Sequence, residues 1–276
     1  MRWKQFFTRV RSIDADRARE LMEGKSSEAI VALDVRQPKE YEAGHIPGAK
    51  LIPMPDLTKR LDEIDPEKGV VVYCAIGGRS RVAAQMLAGR GFSDVYNLAG
   101  GFKAWTGKAA FGKELEGLEL FSGGESPEET LVVAYSLEEG LRDFYLSMIP
   151  EVANDDAKRL FEKLAAIELK HEERIFAEYV KVSGEKIDEE TFANKVVVEA
   201  VEGGLTTEEY MKLFQPDLGS VEDIVELAMS IEAQALDLYE RASDRSGDPE
   251  TKKALKQIAD EERAHLIELG RLIDDM

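Results

Sequence analysis

The residues best placed to do chemistry are glutamates and histidines that recur at a fixed spacing in the second half of the chain. Compared with itself at an offset of 94 residues, this half repeats a single glutamate followed 30 residues later by a Glu-x-x-His motif. The repeat aligns three pairs of side chains, which are Glu138 with Glu232, Glu168 with Glu262, and His171 with His265. Two of the three histidines in the chain therefore belong to the repeat.

In each copy, the Glu-x-x-His motif falls on the apolar stripe of a predicted helix. In the first copy, the stripe advances in steps of three or four residues through Phe161, Leu164, Glu168, His171 and Ile175. Four carboxylates buried together could not all remain ionised unaided, but two divalent cations would balance them and bind two neutral imidazoles as well. The pattern predicts two metal ions, and its ligands suit iron or manganese equally.

Helical hairpins must position these ligands. Ser126-Pro127-Glu128-Glu129 has the composition of a capped helix start, and turn residues occur near positions 153 and 247, halfway between the paired ligands. A long crossover over about residues 181–219 joins the hairpins, with short helices expected at 191–201 and 206–214. One long crossover between two hairpins is typical of ferritin-like four-helix bundles.

Residues 126–276 resemble the ferritin-like di-iron carboxylate proteins, most closely the rubrerythrin-type branch. The resemblance implies two iron ions per bundle, with manganese as the alternative, and redox chemistry with peroxide or oxygen. Two features depart from that branch: Ala235 replaces an additional glutamate, and no cysteine-ligated electron-transfer domain is present, which implies an external electron donor. Tyr145 and Tyr239 follow the first glutamate of each copy by seven residues, and we interpret them as core residues rather than neighbours of the metals.

The only cysteine, Cys74, ends an apolar segment and opens a glycine-containing loop before a predicted helix. Backbone amides at a strand end and a helix N-terminus form an anion-stabilising pocket, which lowers the pKa of a thiol and favours a nucleophilic thiolate. We predict Cys74 as the nucleophile and Arg79 as the neighbouring positive charge. The predicted anion-binding loop consists of Ala75, Ile76, Gly77, Gly78 and Ser80.

Four motifs in the first 110 residues resemble the rhodanese family. They are Asp34-Val35-Arg36, Glu40-Tyr41 with Gly44-His45-Ile46-Pro47-Gly48-Ala49, Cys74-x-x-Gly77-x-Arg79-Ser80, and Leu98-x-Gly100-Gly101-x-x-Ala104-Trp105. The resemblance implies a sulfurtransferase that carries sulfane sulfur on Cys74 as a persulfide, taken from a small anion such as thiosulfate or another persulfide. Related phosphatases have a loop one residue longer, which favours sulfur over phosphoryl transfer. The alternative is an inactive rhodanese-like binding module. We interpret His45 and Asp34 as structural, and Arg36 as structural or at the rim of the active site.

Three segments are expected along the chain. Residues 1–110 alternate short apolar runs with helical patterns and predict an α/β domain with a central parallel sheet and flanking helices. Residues 111–125 are predicted as a linker, and residues 126–276 as the all-α bundle. Residues 1–110 carry 18 Lys+Arg and 14 Asp+Glu, whereas residues 111–276 carry 18 and 41. Such an acidic surface would repel phosphate, so nucleic acid is not an expected partner.

The sequence also predicts a cytoplasmic protein. No apolar run approaches the ~18 residues needed to span a bilayer, and the basic segment at residues 1–11 lacks the features of a secretory signal. The leading hypothesis is a homodimeric fused enzyme in which one half transfers persulfide sulfur and the other performs di-iron oxidase or peroxidase chemistry. Two alternatives stay open: an iron-handling protein, and a sulfur-relay adaptor with a mainly structural bundle.

Overall fold

The computed structural model of the protein describes residues 10–23, 29–121, 123–188, 191–192, 194–195 and 201–274. Most of the basic N-terminal segment and most of the short helix expected at 191–201 lie outside these residues. The chain divides into two compact units, Met1–Glu114 and Leu115–Met276. Within the described residues, no helix is both long and apolar enough to cross a membrane.

The first unit is built on a five-stranded parallel sheet, as the alternating pattern predicted. Its order is β1-β5-β4-β2-β3. The strands are β1 (Arg11–Ile13), β2 (Ile30–Asp34), β3 (Lys50–Leu51), β4 (Gly69–Tyr73) and β5 (Val95–Leu98). The flanking helices are α1 (Ala15–Glu23), α2 (Pro38–Glu42) and α3 (Gly78–Ala88). Strand β4 is central and buried along its whole length, so Cys74, the residue after it, lies at the carboxyl end of the sheet.

The second unit is a bundle of four long helices, as the repeat predicted. The long helices are α4 (Pro127–Met148), α5 (Asp155–Ser183), α7 (Val221–Arg245) and α8 (Pro249–Asp274), and α6 (Thr207–Phe214) lies in the crossover. Helix α4 begins at the expected capping box, where Ser126 and Glu129 each accept a hydrogen bond from the backbone of the other. Asn154 and Ser220 cap α5 and α7 through their side-chain oxygens.

Two apolar clusters fill the bundle, one on each side of the predicted ligand layer. In α4, for example, Leu131 to Leu137 contribute to one cluster and Leu141 to Tyr145 to the other, with Glu138 between them. The other three long helices repeat this arrangement around their own glutamates and histidines. The ligand layer therefore has hydrocarbon on two sides, which strengthens electrostatic interactions within it.

The segment expected as a linker, residues 111–125, is divided by the boundary between the two units. Its later part belongs to the bundle, because Leu118 and Phe121 are buried in the core, where Phe121 meets the ring of Tyr239 edge-on at 6.1 Å. Arg241 donates to the carbonyl of Glu116 at 2.9 Å and fixes the same segment from outside. Because residues 111–125 are rich in glycine and glutamate, their composition did not indicate that Leu118 and Phe121 are buried.

Candidate metal centre and cysteine loop

The six predicted ligand residues come together in one buried layer of the bundle, where each is at most 8% exposed. They form two groups, and within each group the ligand atoms lie within 4.8 Å of one another. The first group is Glu138, Glu168 and His171, and the second is Glu232, Glu262 and His265. Each group thus combines one glutamate from the first helix of a hairpin with the Glu-x-x-His motif of the second.

The two groups have matching geometry. Nδ1 of His171 lies 2.7 Å from Glu168 and 3.5 Å from Glu138. Nδ1 of His265 lies 3.2 Å from Glu262 and 3.3 Å from Glu232. In both groups, the same imidazole nitrogen and the two carboxylates converge. The repeat in the sequence is therefore a repeat in the arrangement of donor atoms.

This donor set fits bound cations. Both carboxylate oxygens of Glu168 and Oε2 of Glu138 are buried and accept no hydrogen bond, although His171 is close. Leaving a buried carboxylate without a hydrogen bond costs on the order of 1–3 kcal/mol or more. Cations between the carboxylates and the imidazole nitrogens would remove this cost, and oxygen with imidazole ligands suits iron, manganese or zinc.

The pKa values of these groups follow from burial and mutual contact. Burial raises the pKa of Glu168 to about 8. The nearby carboxylates of Glu232 and Glu138 also raise this pKa, whereas His171 lowers it. Burial would lower the pKa of His171, but the carboxylates of Glu138 and Glu168 outweigh it and raise the value to about 10. Without a cation, the cluster therefore retains protons that metal binding must displace.

The loop after β4 surrounds the Cys74 sulfur with hydrogen-bond donors. The Gly77 N–H donates to Sγ at 3.2 Å, and the Ser80 hydroxyl lies 3.5 Å from the same atom. Burial raises the pKa of the Cys74 thiol, but the Ser80 hydroxyl and the N–H groups of Ile76 and Gly77 outweigh it, so the pKa falls below its ordinary value. These donors stabilise a thiolate, as expected for a nucleophile.

A turn after β5 holds this loop from behind. The Phe102 N–H donates to the Cys74 carbonyl at 2.7 Å, and the Lys103 N–H donates to the Ala75 carbonyl at 3.1 Å. Gly101 has φ of +62°, and a Cβ there would lie 2.2 Å from the Cys74 carbonyl oxygen. Gly101 is thus required by the close approach of two backbone segments.

Arg79 stands beside the loop and is held by Glu40 of α2 through two hydrogen bonds of 2.6 and 2.8 Å. The guanidinium of Arg79 lowers the pKa of Glu40 to about 2. Behind the loop, the Ser80 hydroxyl also lies 2.7 Å from Asn97 Oδ1, so its single hydrogen serves either that oxygen or the Cys74 sulfur. Asn97 donates in turn to Ser12 at 3.1 Å. Ile76, in contrast, is 71% exposed at the rim of the loop.

Three residues of the rhodanese motifs have structural contacts. Asp34 and Arg36 form a buried ion pair of 2.7 Å, and Arg36 also donates to the Gly44 carbonyl. His45 is buried, and its ring stacks on Tyr41 with centroids 3.5 Å apart. These contacts stabilise the turn that follows α2.

Sequence reasoning gave no functional role to three buried or paired polar side chains: Glu40, Asn97 and Glu172. Glu40 belongs to a quoted motif, and Asn97 interrupts an apolar strand, so both carried a signal. Glu172 is 2% exposed and lies 3.6 Å from Arg142; it follows Glu168 by four residues and precedes Ile175 by three, so helical spacing carried a signal for it too. Tyr145 and Tyr239 lie in the apolar clusters, as expected for core residues.

An α/β unit with a cysteine loop at the end of its central strand, followed by a bundle with paired carboxylate–histidine groups, defines a rhodanese-like domain fused to a ferritin-like metal-binding domain. The sequence profile of rubrerythrin matches residues 129–273, and that of the rhodanese-like domain matches residues 14–108. The chain belongs to the rubrerythrin family through its second half and carries a rhodanese-like domain in its first.

Individual relatives match the rhodanese half. The uncharacterized protein YqhL of Bacillus subtilis is 50% identical over 76 residues, which span 28% of this chain and 60% of that protein. The thiosulfate sulfurtransferase GlpE of Pseudoalteromonas translucida is 36% identical over 89 residues, or 32% of this chain and 83% of that one. Among solved structures, a rhodanese-like domain protein from Staphylococcus aureus is 34% identical in sequence. The match covers 35% of this chain and 91% of that protein's chain, with a TM-score of 0.32.

Proposed function

We propose that the protein is a sulfurtransferase, using Cys74, fused to a di-iron carboxylate domain that reduces peroxide or oxygen. The observation that supports the sulfur half is the convergence of the Gly77 N–H and the Ser80 hydroxyl on the Cys74 sulfur. A relative of this half is named as a thiosulfate sulfurtransferase. The substrate is a small sulfur-containing anion, either thiosulfate or a persulfide.

The sulfur step uses a thiolate and needs no added oxidant. The Cys74 thiolate attacks the outer sulfur of thiosulfate, so that a bond forms between Sγ and that sulfur. The S–S bond of thiosulfate breaks, and sulfite leaves with the electron pair. A nucleophilic acceptor then takes the terminal sulfur of the persulfide and regenerates the thiolate. Arg79, anchored by Glu40, supplies positive charge beside the loop for the anionic donor.

The test of this half is transfer of labelled sulfur from thiosulfate. After treatment with thiosulfate labelled in its outer sulfur, the protein is expected to hold one labelled atom per chain and to release it to cyanide as thiocyanate. Cys74→Ser removes the thiolate and should abolish both, whereas Ser93→Ala, at an exposed position of the same unit, should retain both. Equal labelling of Cys74→Ser and the wild type would exclude Cys74 as the nucleophile.

The observation that supports the metal half is the set of buried carboxylate oxygens without hydrogen bonds, in Glu138 and Glu168, facing a buried histidine. The six ligand residues would hold two iron ions, which supply redox equivalents for reducing peroxide or oxygen. The residues of the chain orient these ions and exclude bulk water with the two apolar clusters. The proposal includes an external electron donor, because one cysteine cannot ligate an electron-transfer iron site within this chain.

The test of this half is the metal content of protein expressed with excess iron. We expect about two irons per chain in the wild type and about one or fewer in Glu168→Ala, because that substitution removes one of the three donor residues of its group. Glu162→Ala, at an exposed position of the same helix, is the matched control and should retain both ions. Wild-type protein that binds fewer than one iron per chain would contradict the di-iron proposal, and preferential loading with manganese would change only the identity of the metal.

Iron handling without rapid turnover is the second candidate. The observation that favours it is Ala235, an apolar residue where rubrerythrins carry an additional glutamate. Fast, repeated consumption of peroxide with a chemical reductant supports the enzyme, and a single stoichiometric oxidation with retained iron supports storage.

The proposal also includes a homodimer, which light scattering would test. It further includes a reducing cytoplasm, which would keep Cys74 as a thiol and which localisation would test.

A further inference from the structure

Two cavities lie between α5 and α8, and the repeat relates them to each other. The first is lined in part by Lys163, Leu164, Ile167, Glu268 and Leu269. At the offset of 94 residues, these positions correspond to positions lining the second cavity, namely Gln257, Ile258, Glu261, Arg174 and Ile175. We call the first the Ile167 opening and the second the Glu261 opening.

Only the Ile167 opening reaches the ligand layer. Its lining includes Glu168, Glu232 and His265, and its volume is about 70 Å³. A single water needs roughly 10–15 Å³ of such space, so this cavity can hold several water-sized molecules. The described lining of the Glu261 opening contains none of the six ligand residues, and its volume is about 20 Å³, enough for about one water.

An ion pair accounts for the difference between the two openings. Arg174 donates to Glu261 at 2.8 Å, across the space between α5 and α8. In the Ile167 opening, the corresponding positions are Glu268 and Ile167, which cannot form an ion pair. Lys163 and Glu268 both line the Ile167 opening, but among the residues that the structure describes no ion pair crosses it, whereas the Arg174–Glu261 pair crosses the related seam.

Resting on the proposed di-iron function, we propose that metal ions and water-sized oxidants reach the ligand layer through the Ile167 opening, while the Arg174–Glu261 pair closes the related one. The substrate class follows from the volume of the cavity. Hydrogen peroxide and dioxygen are comparable to water in size and fit, whereas bulky organic hydroperoxides do not. Of the two repeat-related openings, the Ile167 opening gives access to the ligand layer and the Glu261 opening does not.

The test measures metal exchange, which does not depend on turnover. Ile167→Trp and Lys163→Trp place an indole in the opening, and Gln257→Trp, the repeat-related mate of Lys163→Trp, places one in the closed cavity. Lys163 and Gln257 are both exposed, so these two variants form a matched pair that should fold equally well. Iron(II) uptake by metal-free protein and iron(II) release to a large chelator are followed by absorbance, with helicity and thermal unfolding as checks on folding.

Both indoles in the Ile167 opening should slow uptake and release at least tenfold, and Gln257→Trp should leave both rates unchanged. In iron-loaded protein, the same two variants should slow oxidation by hydrogen peroxide by a similar factor, and cumene hydroperoxide should react slowly even with the wild type. Normal exchange rates in folded Lys163→Trp and Ile167→Trp would overturn the proposal, as would equal slowing by Gln257→Trp. Wild-type protein that takes up no iron would instead contradict the di-iron function itself.

Discussion

The imidazole rings of His171 and His265 lie face to face, with centroids 3.7 Å apart and planes 3° from parallel. Each ring comes from a different copy of the repeat, and each turns Nδ1 towards the carboxylates of its own copy. Two positively charged rings in this contact would repel each other, whereas neutral rings stack without penalty. The stack therefore joins the two donor groups in one layer, where cations bound by both groups would leave both rings neutral.

The stability of the metal-free bundle should fall as pH rises. Folded Glu168 has a pKa of about 8 and folded His171 of about 10, whereas in an unfolded chain these values are about 4.3 and 6.5. Between the two sets of values, the folded state holds protons that the unfolded chain has released, so each step up in pH favours unfolding. Urea titrations of metal-free protein should show a decreasing free energy of unfolding from about pH 5 to about pH 9.

Metal binding should reverse this trend, because bound cations replace those protons. The difference in Tm between metal-loaded and metal-free protein is therefore expected to grow over the same pH range. Glu168→Gln removes one titrating group and should weaken the pH dependence of the metal-free protein. A Tm difference that stays constant with pH would show that the ligand layer is already deprotonated without metal.

The Cys74 thiol should ionise below the ordinary value of about 8.5, because the Ser80 hydroxyl and backbone N–H groups stabilise the thiolate. The rate of alkylation by iodoacetamide should rise with pH through this lowered pKa. Ser80→Ala should move the midpoint upward by roughly one unit, the effect of losing one hydrogen bond to a charged group. Ser93→Ala should leave the midpoint in place, and an unchanged midpoint in Ser80→Ala would assign the lowered pKa to the backbone alone.

The sequence predicted the parts of this architecture that depend on local periodicity. Glu168 and His171 could be placed in a buried layer because they continue an apolar stripe, and Cys74 at a strand end because the strand before it is uniformly apolar. The ion pair between Glu40 and Arg79 could not be predicted in the same way, because it joins two elements through the packing of the whole sheet. The inequality of the two openings likewise depends on distances between helices rather than on any one helix.

Gly101→Ala should displace the cysteine loop. A Cβ at this position would lie 2.2 Å from the Cys74 carbonyl oxygen and 2.7 Å from the backbone of Ala75, which leaves no room without moving the loop. We expect sulfur transfer from thiosulfate to fall at least tenfold, with a loss of stability of about 1–3 kcal/mol from overpacking.

Gly91→Ala is the matched control for this change. Gly91 also has positive φ, at +102°, but a Cβ there meets no other atom within 4 Å. This control should cost about 1–2 kcal/mol of stability from backbone strain and leave sulfur transfer intact. Equal loss of activity in both variants would show that strain, and not collision with the cysteine loop, is responsible.

Ala235→Glu tests whether the bundle can accept the additional glutamate of rubrerythrins. Ala235 is fully buried in an apolar cluster, so a glutamate side chain there would be surrounded by hydrocarbon. An unpaired buried carboxylate should cost about 3–5 kcal/mol, measured as a lower free energy of unfolding. Ala177→Glu, at an exposed position of α5, should change stability by less than about 0.5 kcal/mol. If Ala235→Glu instead kept full stability in the iron-loaded protein, the new carboxylate would have to reach the metals.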